Sequence, residues 1–203
     1  HEDEKVKNLF RLLSNEIDLR KSRLAEVGVS SFASYKEAGY RDLPQIVVVI
    51  DNLTALKELY LQDNDMLLPV CRDGNSVGIS FLVANGQTAG VGYRYLNNFE
   101  GRIALFCNES SEYTMLFEGN RTKLPNVPGR ALVQIDKATY ECQMYLAFDG
   151  DKEYERVQNI QKYVTSCNER YVGMNARVIP EIPKCLDIGY VEKHYAQANT
   201  NDE

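Results

Sequence analysis

At 203 residues the chain is long enough to bury most of the surface its unfolded form exposes, and 44% hydrophobic beside 26% charged residues is the composition of a globular domain without low-complexity stretches. Its 23 basic and 29 acidic residues leave a net charge of -6, which excludes an overall electrostatic footprint for a nucleic-acid backbone. No apolar run approaches the ~20 residues that span a bilayer, and no signal peptide opens the chain.

Val6, Leu9, Phe10, Leu13, Ile17, Leu24 and Val27 recur mostly at three- and four-residue steps, which predicts a helix of about six turns with one apolar stripe. Gly28 stops it in the manner of a left-handed cap. Ser31 opens a short helix reaching Ala38. Asp42-Leu43-Pro44 then leads into Ile46-Val47-Val48-Val49-Ile50, a continuous β-branched run of the kind buried on both faces of a sheet. Further strands are predicted at Gly78–Ala84, Arg102–Cys107, Ala131–Ile135 and Cys142–Phe148, with helical stretches between the earlier ones and a hairpin around Asp136-Lys137 joining the last two. From Asp151 a helix carries Tyr154, Val157, Ile160, Val164 and Cys167 at helical spacing, and it is expected to pack on the sheet. Pro180 and Pro183 break helix and read as an interdomain linker, so residues 1–175 are assigned to one domain and 176–203 to a linker or tail. Strands alternating with helices indicate an α/β sheet that is at least partly parallel.

Several chemistries lose support at this point. The five cysteines, Cys71, Cys107, Cys142, Cys167 and Cys185, are widely spaced without a C-x-x-C pair, so they signal neither a disulfide framework nor a zinc site and suit a reducing cytoplasm. His1 and His194 are the only histidines and lie near opposite ends, against histidine-based triads and metal sites. Sequons at Asn52, Asn108 and Asn120 read as chance, the first following a strand directly. The aromatic residues do not alternate with Lys or Arg and read as core and rim, not as a base-stacking platform. Arg72, Asp73 and Asn75 form a polar turn, either solvated or facing a neighbouring domain.

Two stretches carry candidate chemistry. The run VVVID ends at Asp51, and an apolar central strand ending in aspartate is how P-loop ATPases place a carboxylate at the sheet's carboxyl edge beside magnesium. The same pattern also arises where an aspartate only caps the next helix. The second stretch, GISFLVANGQ, ends an apolar strand in Asn85 and Gln87, amides suited to orienting water or sensing a γ-phosphate, although Asn85-Gly86 is equally a common turn dipeptide.

In this order LPQIVVVIDN, RDGNSVGISFLVANGQ, GRIALFC and GRALVQ resemble the FtsK/SpoIIIE ATPase family, from about Val6 to Tyr171. Within it the likeness is to the tandem ATPase domains of type VII secretion proteins of the EssC/YukB/EccC kind, especially a non-first domain; GRALVQIDKATYECQMYLAF and the trailing PEIP are similar to what joins two such domains. The resemblance implies an α/β, three-layer RecA-like P-loop NTPase fold with a largely parallel sheet, and ATP with Mg2+ as cofactors of the intact parent domain. It implies that Asp51 is the magnesium-side Walker B aspartate. The next position, usually acidic in active members, is Asn52, and an amide cannot accept the proton from an attacking water, so hydrolysis is expected to be weakened or absent. Gln87 matches the family's glutamine after the fourth core strand, with the usual A-T-Q written here as Asn85-Gly86-Gln87, and the resemblance puts Asn85 on the nucleotide side with it. Arg102 opens a segment like the family's R-I-A-F and is an arginine-finger candidate, the alternative being a surface ion pair.

No G-x-x-x-x-G-K-[ST] and no Gly-Lys dipeptide occurs in the sequence, so the nest of amides and lysine that cradles phosphates is not among these residues. The family places that motif upstream, so the expectation is a domain cut before Walker B, lacking the Walker A strand and loop and inactive alone. The implied partners are neighbouring ATPase domains of the same chain or ring and secreted helical substrate proteins. The implied place is the cytoplasmic face of the cell membrane, as the soluble part of a membrane-anchored protein. The function so implied is a degenerate or regulatory nucleotide-binding domain of a type VII secretion motor. The alternatives are a DNA translocase of the FtsK/SpoIIIE class, which requires a basic channel in an intact ring, and a docking module without nucleotide.

Overall fold

A computed structural model describes residues 2–62, 65–120, 122–174 and 176–179. The Pro180–Pro183 linker prediction lies outside the described residues. The chain divides into two compact units, one containing residues 1–44 and 57–78, the other residues 45–56 and 79–177.

The first unit is helical. Helix α1 (Glu2–Glu26) ends as its sequence predicts: Gly28 adopts φ +74°, its N–H donates to the Ala25 carbonyl at 3.0 Å and the Val29 N–H to that of Leu24 at 3.0 Å, the bonding of a left-handed cap. Helix α2 (Phe32–Glu37) is capped by Ser31, whose hydroxyl accepts from the Ser34 N–H at 3.2 Å. The apolar stripe of α1 buries Phe10, Leu13, Ile17 and Leu24, and α1 packs on α4 (Leu67–Gly74) and the 3-10 turn Asn75–Val77. Arg20, 1% exposed, is the polar centre of this core. Its Nε donates to Glu16 Oε1 at 2.7 Å, its Nη1 to the Val77 carbonyl at 3.1 Å and its Nη2 to the Pro44 carbonyl at 2.8 Å. Gly78, at φ +81°, has no room for a side chain, since a Cβ there would lie 2.6 Å from the Phe32 ring.

The second unit holds both sheets. Strand β1 (Ile46–Asp51) pairs in parallel with β2 (Ile79–Ala84), from Ile46 opposite Ile79 to Asp51 opposite Ala84. The connection between them runs through α3 (Leu53–Tyr60), α4 and the 3-10 turn. After α5 (Tyr93–Leu96), strand β3 (Arg102–Ala104) pairs antiparallel with β4 (Arg130–Ile135), which pairs antiparallel with β5 (Ala138–Gln143). Helix α6 (Ser110–Leu116) lies between β3 and β4 in the chain and builds a core from Tyr113, Phe117, Leu124, Ala104 and Leu132.

The strands make two sheets, the parallel pair β1-β2 and the antiparallel set β3-β4-β5, and the turn predicted at Asp136 (φ +48°) and Lys137 (φ +67°) is the two-residue hairpin joining β4 to β5. Three expectations change. The same turn starts β5 at Ala138, so Cys142–Phe148 is not the last strand; pairing stops where the Met144 N–H bonds the Gly129 carbonyl at 2.7 Å. Strand β1 is not buried on both faces, since Val47 and Val49 are 61% and 67% exposed beside Leu82 at 61%. Helix α7 (Glu153–Arg170) has no buried residue and does not pack on the sheet as predicted. It is held by the segment just before it, through Arg156 Nη1 to the Gly150 carbonyl at 2.7 Å, Asn159 Nδ2 to the Asp149 carbonyl at 2.8 Å, and an edge-on contact of Phe148 with Tyr163.

Replacing Arg20 by Met removes the cation from a buried carboxylate and three bonds at once, so unfolding in urea is expected to show a loss of about 3–5 kcal/mol. Adding Glu16→Leu to Arg20→Met is expected to restore part of it; a double variant no more stable than the single one would remove Arg20 from this role. Burial, with Asp65 nearby, pushes the Cys71 thiol up to about 12. The fold therefore favours the neutral thiol. Cys71 is expected to resist alkylation at a pH of about 8.5, the ordinary thiol pKa, and its linked stability to be complete below that and to fall as pH rises towards the folded value. Peptide mass mapping before and after unfolding checks this.

Candidate functional site

The parallel register brings the chain ends of β1 and β2 out side by side at one carboxyl edge. Asp51 closes β1 there, exposed, and its carboxylate makes no hydrogen bond or ion pair among the described residues. The Asn52 N–H extends the ladder by donating to the Ala84 carbonyl at 2.9 Å. Asn52 then turns the chain at φ +63°, its carbonyl accepts the Leu56 N–H at 3.1 Å, and its Oδ1 accepts the Ala55 N–H at 3.1 Å. It is the N-cap of α3, in a left-handed conformation that asparagine tolerates better than most residues.

Asn85, the first residue beyond β2, reaches the same helix end. Its Oδ1 accepts the Thr54 N–H at 3.0 Å, its Nδ2 donates to Thr54 Oγ1 at 3.0 Å, and Nδ2 also donates to the Gln87 carbonyl. Gln87 is exposed and its side-chain amide has no partner among the described residues. The structure thus gathers Asp51, Asn52, Asn85 and Gln87 at one edge. Among the described residues the Asp51 and Gln87 side chains are free, and both asparagines are engaged.

Arg102 is not in this group. It opens β3, and its Nε, Nη1 and Nη2 donate to the carbonyls of Phe99 at 3.1 Å, Leu116 at 2.7 Å and Leu96 at 2.9 Å. Leu96 and Leu116 end α5 and α6, so the guanidinium satisfies carbonyls where two helices stop, a favourable place for positive charge. That geometry is a structural staple, neither the free side chain of an arginine finger nor a surface ion pair. Sequence reasoning missed Thr54, Thr88 and Glu112. Thr88 donates both its N–H, at 2.6 Å, and its hydroxyl to Glu112 Oε2, across 24 positions that no local pattern connects.

No protein-family model matches the chain. The ESX secretion system protein EccC of Geobacillus thermodenitrificans strain NG80-2 is 28% identical over 197 residues, 97% of this chain and 13% of that protein. YukB, an ESX secretion system protein of Bacillus subtilis strain 168, is 26% identical over 183 residues, 90% of this chain and 12% of its own length. Among solved structures, EssC (ATPases 2 and 3) from Geobacillus thermodenitrificans matches with a TM-score of 0.83 at 28% identity, over 97% of this chain and 38% of that one. Thermomonospora curvata EccC (ATPases 2 and 3), solved in complex with a signal sequence peptide, matches with a TM-score of 0.72 at 18% identity, over 92% and 35%. The chain is similar to the non-first ATPase domains of type VII secretion proteins. Its fold is that of their RecA-like P-loop ATPase domains, and it spans about an eighth of the length of the curated relatives it matches.

The Asn52 geometry makes a specific order of stabilities. Asn52→Gly loses a cap but sits freely at positive φ and is expected to cost well under ~1 kcal/mol, whereas Asn52→Ala loses the cap and strains the backbone, together about 2 kcal/mol. Denaturant unfolding of the two variants distinguishes this from a freely rotating surface residue, for which alanine and glycine would rank the other way. Arg102→Lys keeps the charge but cannot reach three divergent carbonyls, and a loss of about 2–3 kcal/mol is expected in the same measurement.

Proposed function

We propose that the chain is the nucleotide-facing part of a degenerate or regulatory ATPase domain in a type VII secretion motor, and that it serves protein export through binding more than through hydrolysis. The observation that carries this reading is Asn52. The position after the Walker B aspartate holds an amide, and that amide's oxygen is spent on the N-cap of α3 instead of facing an attacking water. Asp51 remains available as a carboxylate ligand on the magnesium side. Among the described residues no group of three or more His, Cys, Asp or Glu surrounds it. The single free carboxylate of Asp51 is what fits Mg2+ bound with ATP, an ion that keeps several waters and takes one or two carboxylates alongside phosphate oxygens. The phosphate cradle, absent from these 203 residues, belongs in this reading to a preceding part of the parent chain. That part also covers the bare face of β1 and β2 at Val47, Val49 and Leu82.

The partners in this reading are the adjoining ATPase domains and secreted helical substrates, at the cytoplasmic face of the membrane. Tandem ATPases in the matched EssC structure and the signal peptide in the matched EccC structure support both partner classes. Among the described residues no helix is long and apolar enough to cross a membrane. A docking role without nucleotide is the second reading, favoured by the internal engagement of Asn52, Asn85 and Arg102. The net charge of -6 speaks against DNA translocation.

Calorimetric titration with Mg-ATPγS separates the readings. The 203-residue chain is expected to bind nothing, and a longer chain carrying a phosphate loop upstream to bind it while releasing no measurable phosphate from Mg-ATP. Absence of binding by the longer chain would leave the docking role, and turnover abolished by Asp51→Ala would overturn the degenerate assignment.

A further inference from the structure

Of the polar groups gathered at the carboxyl edge, Asn85 is the most fully occupied. Its amide oxygen takes the Thr54 N–H and its amide nitrogen bonds both Thr54 Oγ1 and the Gln87 carbonyl. Thr54 Oγ1 donates onward to the Ala89 carbonyl at 3.5 Å, and its side chain fills the space above Gly90, where a Cβ would come within 2.9 Å. Three residues after Asn85, Thr88 is buried and fastened to Glu112 in the first turn of α6 through two donors on one carboxylate oxygen. The segment between, Gly86-Gln87, is exposed, and the Gln87 side chain makes no bond among the described residues.

We propose that Asn85 and Thr54, with the Thr88–Glu112 pair as a second anchor, are positioning residues for Gln87, holding its free amide ready at the edge that Asp51 also occupies. A ligand at this edge then meets Gln87 and Asp51, while Asn85 stays out of contact. The inference rests on the reading that this edge faces a nucleotide's phosphates. The chemistry requires an amide at Asn85: one acceptor faces a backbone N–H and two donors face a hydroxyl and a carbonyl, a set no carboxylate or hydroxyl supplies. Two anchors three residues apart leave little freedom to the turn between them, so the ordering that a contact to Gln87 demands is in place before a ligand arrives.

The 15N relaxation of the 203-residue chain tests the anchoring without any ligand. Gly86 and Gln87 are expected to show order parameters near ~0.85, as in the sheet, falling below ~0.6 in Asn85→Ala and in Thr54→Val while Thr54→Ser retains them. Should Asn85→Ala not fold, the wild-type values and the Thr54 pair decide. A turn already mobile in the wild type, or rigid in both Asn85→Ala and Thr54→Val, overturns the proposal. In the longer nucleotide-binding chain, Mg-ATPγS affinity supplies a double-variant cycle. Asn85→Ala is expected to weaken binding about fivefold or more alone and to add nothing once Gln87 is Ala. Additive losses would make Asn85 a contact in its own right and overturn the positioning role. If the longer chain binds no nucleotide although the turn proves rigid and anchored, the nucleotide reading fails and the anchoring of Gln87 stands.

Discussion

The candidate site depends on the parallel register of β1 and β2. With Asp51 opposite Ala84, the two chain ends leave the sheet at the same level, and Asn52 and Asn85 come within hydrogen-bond range of the opposite strand's exit. A slip of one residue shifts one strand by about 3.3 Å, more than any of these bonds tolerates, and turns every side chain of that strand to the other face. Ile50 would then leave the core and Val49 would enter it. The burial of Ile50 and Ile79 against the exposure of Val49 and Leu82 thus fixes the register, and the register fixes the polar edge.

Within that edge the chemistry of each side chain decides its role. An asparagine at position 85 answers two acceptors and one donor. An aspartate there would place a charge against the Gln87 carbonyl and leave the Thr54 hydroxyl without its donor. At position 52 the demand is for a short acceptor at positive φ, and asparagine meets both parts. Glutamate, the residue type that would polarise water, carries its acceptor one carbon farther and tolerates the left-handed region less well. The local backbone and a catalytic acid at this position therefore pull in different directions. Asp51, still in extended conformation at the strand end, is under no such demand.

What could be read from the sequence was local. The stop of α1 at Gly28, the Ser31 cap and the Asp136-Lys137 hairpin each depend on a few consecutive residues, and each formed as expected. The exits of β1 at Asp51 and of β2 just before Asn85 were legible for a related reason: an apolar run that gives way to polar residues marks a strand end. What escaped was non-local. Arg102 lies just before an apolar run, as a finger or a surface cation might, and only the fold brings the ends of α5 and α6 to it. The Thr88–Glu112 bond and the Asn85–Thr54 pair join positions 24 and 31 apart, with no periodicity to announce them.

The misjudged faces carry information of their own. A strand meant to meet water on one side alternates apolar with polar residues, whereas β1 is β-branched at five successive positions and β2 places Leu82 beside Val49 on the same exposed face. Selection for solubility would not place three aliphatic side chains there. Their pattern matches the cover proposed above, a preceding part of the same domain. The stripe of α7 is different in kind. Tyr154, Val157, Ile160, Tyr163 and Val164 mix aromatic with aliphatic residues and are all exposed, on a helix that also exposes Gln158, Gln161, Lys162 and Glu169. Continuous β-branched runs are the pattern of strands covered on both faces, a pattern the α7 stripe does not share. In the reading proposed above, the aliphatic face of β1 and β2 is the one a preceding part of the domain covers, whereas the mixed face of α7 calls for no such completion of the sheet.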